Sequence, residues 1–241
     1  MANKIKSLLT ILLGIVIAIS FILNAIFIVD YFSGNQCQRL FENSIYSIVE
    51  LKAQADSIGE SFGTAEFIDN NGTLVTNAHV VTYKKLGVYT TFENFSIRFS
   101  TSEDYIPVEL IKYDTDLDIA ILKLNDTNIK FKALKLGDSS KIKHGNEIIA
   151  IGNLNNKGIS VTKGIISNPD IVVEYDNVSR QVIQCDLTIA DGNSGGALLD
   201  MNGNLLGITT FRLKDNLGNV IYGIAYCIPV NTISEYLKNG G

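Results

Sequence analysis

The stretch ADGNSGGALL, residues 190–199, sets glycines on both sides of Ser194 and then returns at once to an apolar run. Two readings fit it. A hairpin turn needs permissive backbone, and so does a nucleophile held beside free backbone N–H groups. The stretch by itself does not choose between them, so the choice falls to the chain around it.

Downstream, GALLDMNGNLLGITTF (196–211) reads as strand, turn and strand, followed by VIYGIAYCIPV (220–230). Upstream, GTAEFIDNNGTLVTNAHVV (63–81) repeats the pattern around a DNNG turn, and IPVELIKYD, LDIAILKL, EIIAIGNL, SVTKGIIS and QVIQCDL add further short strands. Helical periodicity within this region is confined to NTISEYLKN at residues 231–239. Many short strands without βαβ alternation predict an all-β domain of antiparallel barrels or a sandwich.

The front of the chain differs. SLLTILLGIVIAISFILNAIFIV (7–29) carries no charge, and a helix of that length spans roughly the 30 Å hydrocarbon core of a bilayer. Lys4 and Lys6 precede it and Asp30 follows it, which predicts a cytoplasmic N-terminus with the remainder outside. The run exceeds a signal-peptide core and lacks a clean cleavage site, favouring an uncleaved anchor. The expected organisation is a cytoplasmic segment 1–6, a transmembrane anchor 7–29, a stalk 30–45 and a folded domain 46–241.

Composition narrows the function. With 20 basic and 25 acidic residues in all, and two of the lysines ahead of the anchor, the chain from Asp30 onward carries 18 basic against 25 acidic residues. That balance disfavours a nucleic-acid surface. Three scattered cysteines, Cys37, Cys185 and Cys227, make neither a disulfide framework nor a zinc site, although a bridge between Cys185 and Cys227 stays open. No metal site or cofactor is expected. The four sequons at Asn71, Asn94, Asn125 and Asn177 read as ordinary Asn-rich loops for a chain expected to be bacterial.

Of the two histidines, His144 in KIKHGNEI reads as an exposed turn residue, whereas His79 ends the strand TLVTNAH. Taken alone His79 is a satisfied core histidine, and Asp118, with Asp114 and Asp116 nearby, is a turn residue. Their order changes the reading: His79, Asp118 and Ser194 each stand at a strand edge. A serine hydroxyl is a weak nucleophile that needs a base, an imidazole can take and return its proton, and a carboxylate can orient that imidazole. The order His, Asp, Ser is the chymotrypsin-type order.

TNAHVV, TDLDIAILKL, IGN, SVTKGIIS and IQCDLTIADGNSGGALLDMNGNLLGI resemble the bacterial HtrA (DegP/DegS) branch of the trypsin-like serine proteases, over about residues 60–232. The resemblance implies a chymotrypsin-like double antiparallel β-barrel. It makes His79 the general base, Asp118 its orienting acid and Ser194 the nucleophile, with the Gly192, Asn193 and Ser194 segment as oxyanion hole. It puts the primary substrate pocket at Thr188, Ile189 and Ala190, at Ile208, Thr209 and Thr210, and at Ala225 to Cys227. Thr188 stands where a trypsin-like pocket carries an acid, so a small to medium aliphatic side chain is expected before the cut bond. Asp191 replaces a proline common in relatives, which predicts a more mobile oxyanion loop. Asn193 stands where zymogens place an aspartate, so activation by a new N-terminus is not expected. No length follows Gly241 for a PDZ domain, and regulation through one is not expected.

The expected function is a membrane-anchored extracytoplasmic endopeptidase acting on proteins or peptides, in the setting of protein quality control, with a homotrimer left open. The alternative is a catalytically silent binding module on the same fold. An esterase is disfavoured because the G-x-S-x-G elbow is missing. A glutamyl-endopeptidase-like enzyme, which shares TNxHVV, is disfavoured by the anchor and by the DLDIAILKL and GNSGGALL forms.

Overall fold

The computed structural model describes residues 2–34, 36–175, 177–189, 192–214 and 220–239; Ala190 and Asp191 lie outside them. The chain divides into two compact units, Met1–Arg39 and Leu40–Gly241.

Helix α1 (Ala2–Gly34) dominates the first unit. Its stretch Lys4–Val29 is long and apolar enough to cross a membrane, and Leu8, Leu13, Phe21 and Phe27 all stand exposed. By length and composition this stretch is a candidate transmembrane or signal helix. Residues expected to form a stalk are instead partly helical. In α2 (Gln36–Ser44), Leu40 and Ser44 are buried, and a Cβ on Gly203 would meet Leu40 at 3.3 Å. The second compact unit starts at Leu40.

That unit opens with β1 (Ile48–Ala55), β2 (Gly59–Phe67) and β3 (Thr73–Thr76), then the single-turn helix α3 (Ala78–Val81). A small hairpin, β4 (Thr82–Lys85) and β5 (Val88–Thr91), turns on Leu86 and Gly87, both at positive φ. β6 (Asn94–Arg98), β7 (Ile106–Asp114) and β8 (Ile119–Lys123) complete a closed barrel in the order β1-β2-β3-β8-β7-β6. Leu51, Ala65, Phe67, Leu74, Ile97 and Leu122 fill it, each large side chain contributing about 1.5–3 kcal/mol by leaving water.

The second barrel follows β9 (Lys135–Leu136) and uses β10 (Glu147–Asn153), β11 (Ile159–Tyr175), β12 (Val178–Cys185), β13 (Ala197–Asp200), β14 (Asn204–Lys214) and β15 (Val220–Pro229). Pairing runs β13-β10-β11-β12-β15-β14, and β13 also pairs β14, so this ring closes too, with β9 added parallel to β14. Ile148, Ile166, Ile183 and Leu198 lie in its core with Cys185 and Cys227. Both thiols are free; a hydrogen bond from Cys185 together with burial pushes the Cys227 thiol well up. Helix α4 (Val230–Lys238) closes the fold with Val230 and Ile233 buried.

This is the double-barrel, chymotrypsin-like architecture. Strand alternation explains what meets between the barrels. Ala65 and Phe67 of β2 point into the first core, so Thr64 and Glu66 point out of it. Yet both are completely buried, because β10 packs against β1 and β2.

Candidate active site

His79 is the second residue of α3, directly after β3 and the extended Asn77. Asp118 ends the turn between β7 and β8 with φ +56°, a left-handed conformation that Asp tolerates better than most L residues. The three nearby aspartates separate by role. Asp114 Oδ1 accepts the amides of Asp116 and Leu117, each at 2.8 Å, and so builds the turn. Asp116 is exposed. Asp118, 6% exposed, turns back toward His79.

Four contacts converge on the Asp118 carboxylate. His79 Nδ1 lies 3.0 and 2.9 Å from its two oxygens, the His79 amide donates to Oδ1 at 3.0 Å, and the Thr210 hydroxyl donates to Oδ2 at 2.6 Å. The Asp118 carbonyl accepts from Asn77 Nδ2 at 3.0 Å. An ionised carboxylate only accepts, so Nδ1 carries the proton and Nε2 is left as the basic nitrogen. Burial works against the charged carboxylate, but the His79 charge and the hydrogen bonds from His79 and Thr210 hold Asp118 below the usual range. Burial also works against a charged His79, and the Asp118 charge and hydrogen bond outweigh it, lifting the imidazole above its ordinary value. His144 is exposed in the turn before β10.

Ser194 lies in the connection from β12 to β13. Its hydroxyl donates to the Thr210 carbonyl at 3.3 Å; no hydrogen bond joins it to His79 among the described residues. The loop is fastened by its backbone. The Thr64 amide donates to Ser194 O at 2.9 Å, Gly195 N donates to Thr209 O and Gly196 N to Asn193 O, both at 2.8 Å. Thr64 Oγ1 donates to Gly192 O at 2.9 Å and accepts from the Asn153 amide at 2.9 Å, tying the loop to both barrels. Gly192 has φ +89°, and a Cβ there would strike the Asn153 carbonyl. Gly195, at φ +78°, would strike Thr76 Oγ1 and Thr64 O in the same way. Among the described residues, no acceptor is found for the amides of Gly192, Asn193 and Ser194. Asn193 is buried, and its Oδ1 has no hydrogen-bond partner among the described residues.

The structure spreads the expected pocket residues over different tasks. Thr188 is exposed and Ile189 buried; Ala190 lies outside the described residues, as does Asp191 with the loop mobility expected of it. Ile208, Ala225 and Cys227 have no exposed surface, because their places on β14 and β15 point them inward. Tyr226 is nearly buried. The Thr209 hydroxyl donates to Asn193 O, and the Thr210 hydroxyl holds Asp118. Sequence reading missed Thr64 as a fastener of the serine loop and Thr210 as a partner of the acid. Neither stands in a motif that signals it. No group of three metal-ligating side chains occurs among the described residues.

Residues 63–208 match the model of the trypsin-like peptidase domain, a range that contains His79, Asp118 and Ser194. The chain is 35% identical over 185 residues to a probable periplasmic serine endoprotease, DegP-like, of Rickettsia conorii, covering 74% of this chain and 34% of that protein. It is 34% identical over 175 residues to the magnetosome formation protease MamE of Magnetospirillum gryphiswaldense, covering 71% of this chain and 21% of that one. The chain thus spans about a third of the length of the first relative and about a fifth of the second. Among solved structures, the HtrA-type protease AlgW with a tripeptide superimposes with a TM-score of 0.71 at 29% identity, covering 84% of this chain and 62% of that one.

Proposed function

The chain belongs to the trypsin-like peptidase family, on its HtrA/DegP side, and from that premise we propose that it cleaves polypeptides through an acyl-enzyme on Ser194, with His79 as general base and Asp118 as orienting acid. The observation that carries this reading is the convergence of His79 Nδ1, the His79 amide and the Thr210 hydroxyl on one buried carboxylate. That arrangement fixes the tautomer a base needs.

The chemistry then runs in two halves. His79 Nε2 takes the Ser194 proton as Oγ attacks the scissile carbonyl, and the amides of Gly192 and Ser194 receive the charge that develops on its oxygen. His79 returns the proton to the leaving amine. A water, activated by the same nitrogen, then releases the acyl group. One oxyanion donor contributes roughly 10²- to 10³-fold in rate at such sites. The hydrogen bond from Ser194 to Thr210 O must break first, so attack requires the side chain to rotate toward His79. That same bond is the observation favouring the second reading, a silent binding module.

The stretch Lys4–Val29 is assigned as a single-pass anchor with its N-terminus in the cytoplasm and the protease unit outside, on the positive charge of Lys4 and Lys6. Extended polypeptides with a small aliphatic residue before the cut bond are the substrate class, since Thr188 supplies no charge for Lys or Arg. The test is hydrolysis of an unfolded protein by the full chain in detergent, beside Ser194→Ala, with the cut sites mapped. Cuts after small aliphatic residues that vanish in the variant support the reading. Cuts surviving in the variant refute the role of Ser194, and cuts confined to Arg or Lys refute the pocket assignment.

A further inference from the structure

We propose that Arg180 is a positioning residue for the triad: from the second barrel it clamps the turn of the first barrel that presents Asp118. The proposal rests on the reading of His79, Asp118 and Ser194 above.

Arg180 lies on β12, opposite Val173 of β11. Its Nε donates to the Asp116 carbonyl at 2.7 Å and its Nη2 to the Thr115 carbonyl at 2.8 Å. Its Nη1 donates to the Tyr175 carbonyl at 3.2 Å, within its own hairpin. The planar guanidinium thus grips two successive carbonyls in one fork, which a lysine ammonium cannot reproduce. These carbonyls belong to the turn whose following amides, of Asp116 and Leu117, are collected by Asp114 Oδ1. The peptide groups leading into Asp118 are therefore held by their oxygens from one barrel and by their nitrogens from the other.

That double hold matters because Asp118 has φ +56°. Unless the turn is pinned, the residue has a lower-energy right-handed alternative that swings its carboxylate off His79 Nδ1. The same hairpin reaches Asp118 by a second path. The Arg180 guanidinium lies 6.0 Å from the Tyr175 ring centroid, Tyr175 stacks on Phe211 at 4.2 Å, and Phe211 directly follows Thr210, whose hydroxyl holds Asp118 Oδ2. Arg180 makes no contact with the reacting atoms and acts through Asp118.

The charged groups acting on His79 separate this role from a passive one. The Asp118 carboxylate raises the His79 pKa, and the Arg180 cation lowers it by the smaller influence. Loss of the cation alone would move His79 up; loss of carboxylate alignment would move it down.

The experiment compares wild type, Arg180→Gln and Arg180→Lys as full chains in detergent, by kcat and KM on a peptide substrate. NMR titration of the His79 ring, in a Ser194→Ala background, accompanies it; His144 is the one other histidine. The expected result for Arg180→Gln is a fall in kcat of about tenfold to a hundredfold, the scale set by small misplacements of catalytic groups, with KM little changed and the His79 pKa lowered. Arg180→Lys, which keeps the charge but not the fork, recovers part of kcat and reports even where the Gln variant does not fold. An unchanged kcat, or a His79 pKa that rises or stays, overturns the proposal. Absence of hydrolysis by wild type would defeat the reading of the site as a protease, and the direction of the His79 shift would still decide whether Arg180 holds Asp118.

Discussion

The Thr210 hydroxyl donates to Asp118 Oδ2 at 2.6 Å, across 92 residues of sequence and from one barrel to the other. One of the four contacts on the acid of the candidate triad therefore forms only when the two barrels are docked. A hydrogen bond to a charged group contributes about 1.5–3 kcal/mol, which corresponds to roughly 10- to 100-fold in rate when it acts on the transition state. Thr210→Val keeps the volume and removes the donor. It should lower kcat/KM by that amount while Thr210→Ser restores most of it. A Val variant with wild-type kcat/KM would remove Thr210 from the machinery.

The pH dependence follows from the His79 and Asp118 pair. Hydrolysis needs neutral His79, and His79 titrates above its ordinary value, so kcat/KM should rise with an apparent pKa above about 6.5. The stability that the pair confers has two edges. The His79 contribution is complete below about pH 6.5 and is lost as pH rises through its raised folded value. The Asp118 contribution is present above about pH 3.9 and is lost as pH falls through its lowered folded value. Asp118→Asn leaves burial as the largest influence on His79, which should then titrate below about 6.5 by NMR, with hydrolysis down by roughly 10⁴-fold as in comparable triads. A His79 pKa unmoved by this change would contradict the assignment.

Glu66 supplies a stability prediction apart from the chemistry. It is fully buried and neither carboxylate oxygen has a partner among the described residues, so burial pushes its pKa well up. The folded protein keeps this proton while the unfolded chain loses it above about pH 4.3. Stability should therefore fall as pH rises from there toward the folded value, by about 1.4 kcal/mol per pH unit from this one group. Glu66→Met should flatten that slope and raise the melting temperature at pH 8 more than at pH 5. Equal changes at the two values would show that Glu66 has an ionised partner in solution.

Thr64 ties the serine loop to both barrels by accepting from the Asn153 amide and donating to Gly192 O, each at 2.9 Å. Thr64→Val leaves two buried backbone groups unpaired, at about 1–3 kcal/mol each. Both the melting temperature and the rate of acylation should drop, with Thr64→Ser recovering both. Loss of stability with an unchanged acylation rate would separate Thr64 from the oxyanion loop.

These residues mark where sequence reading succeeds and where it stops. Ile106–Asp114 reads as a strand because apolar and polar side chains alternate on either side of the Leu110–Ile111 step, and β7 has those bounds. The C-terminal helix is legible through its periodicity, and α4 occupies Val230–Lys238. The β4–β5 hairpin escapes notice because it turns on Leu86, a residue with no preference for positive φ. The segment expected as a stalk becomes α2 because Leu40 finds a buried place that spacing alone does not foretell. In the site, His79, Asp118 and Ser194 stand in local motifs. Thr64, Arg180 and Thr210 act on partners 128, 64 and 92 residues away. A threonine hydroxyl or an arginine fork looks the same in sequence whether it faces water or a carbonyl, so only the folded arrangement gives these residues their roles.

The central claim is that His79, Asp118 and the amides beside Ser194 form a working acyl-transfer site. The most direct measurement is the intact mass of the full chain after treatment with a fluorophosphonate, beside Ser194→Ala. One adduct that maps to Ser194 and is absent from the variant is the predicted result. A folded protein that takes no adduct, with Ser194 still bound to the Thr210 carbonyl, would contradict the account and leave the silent binding module in its place.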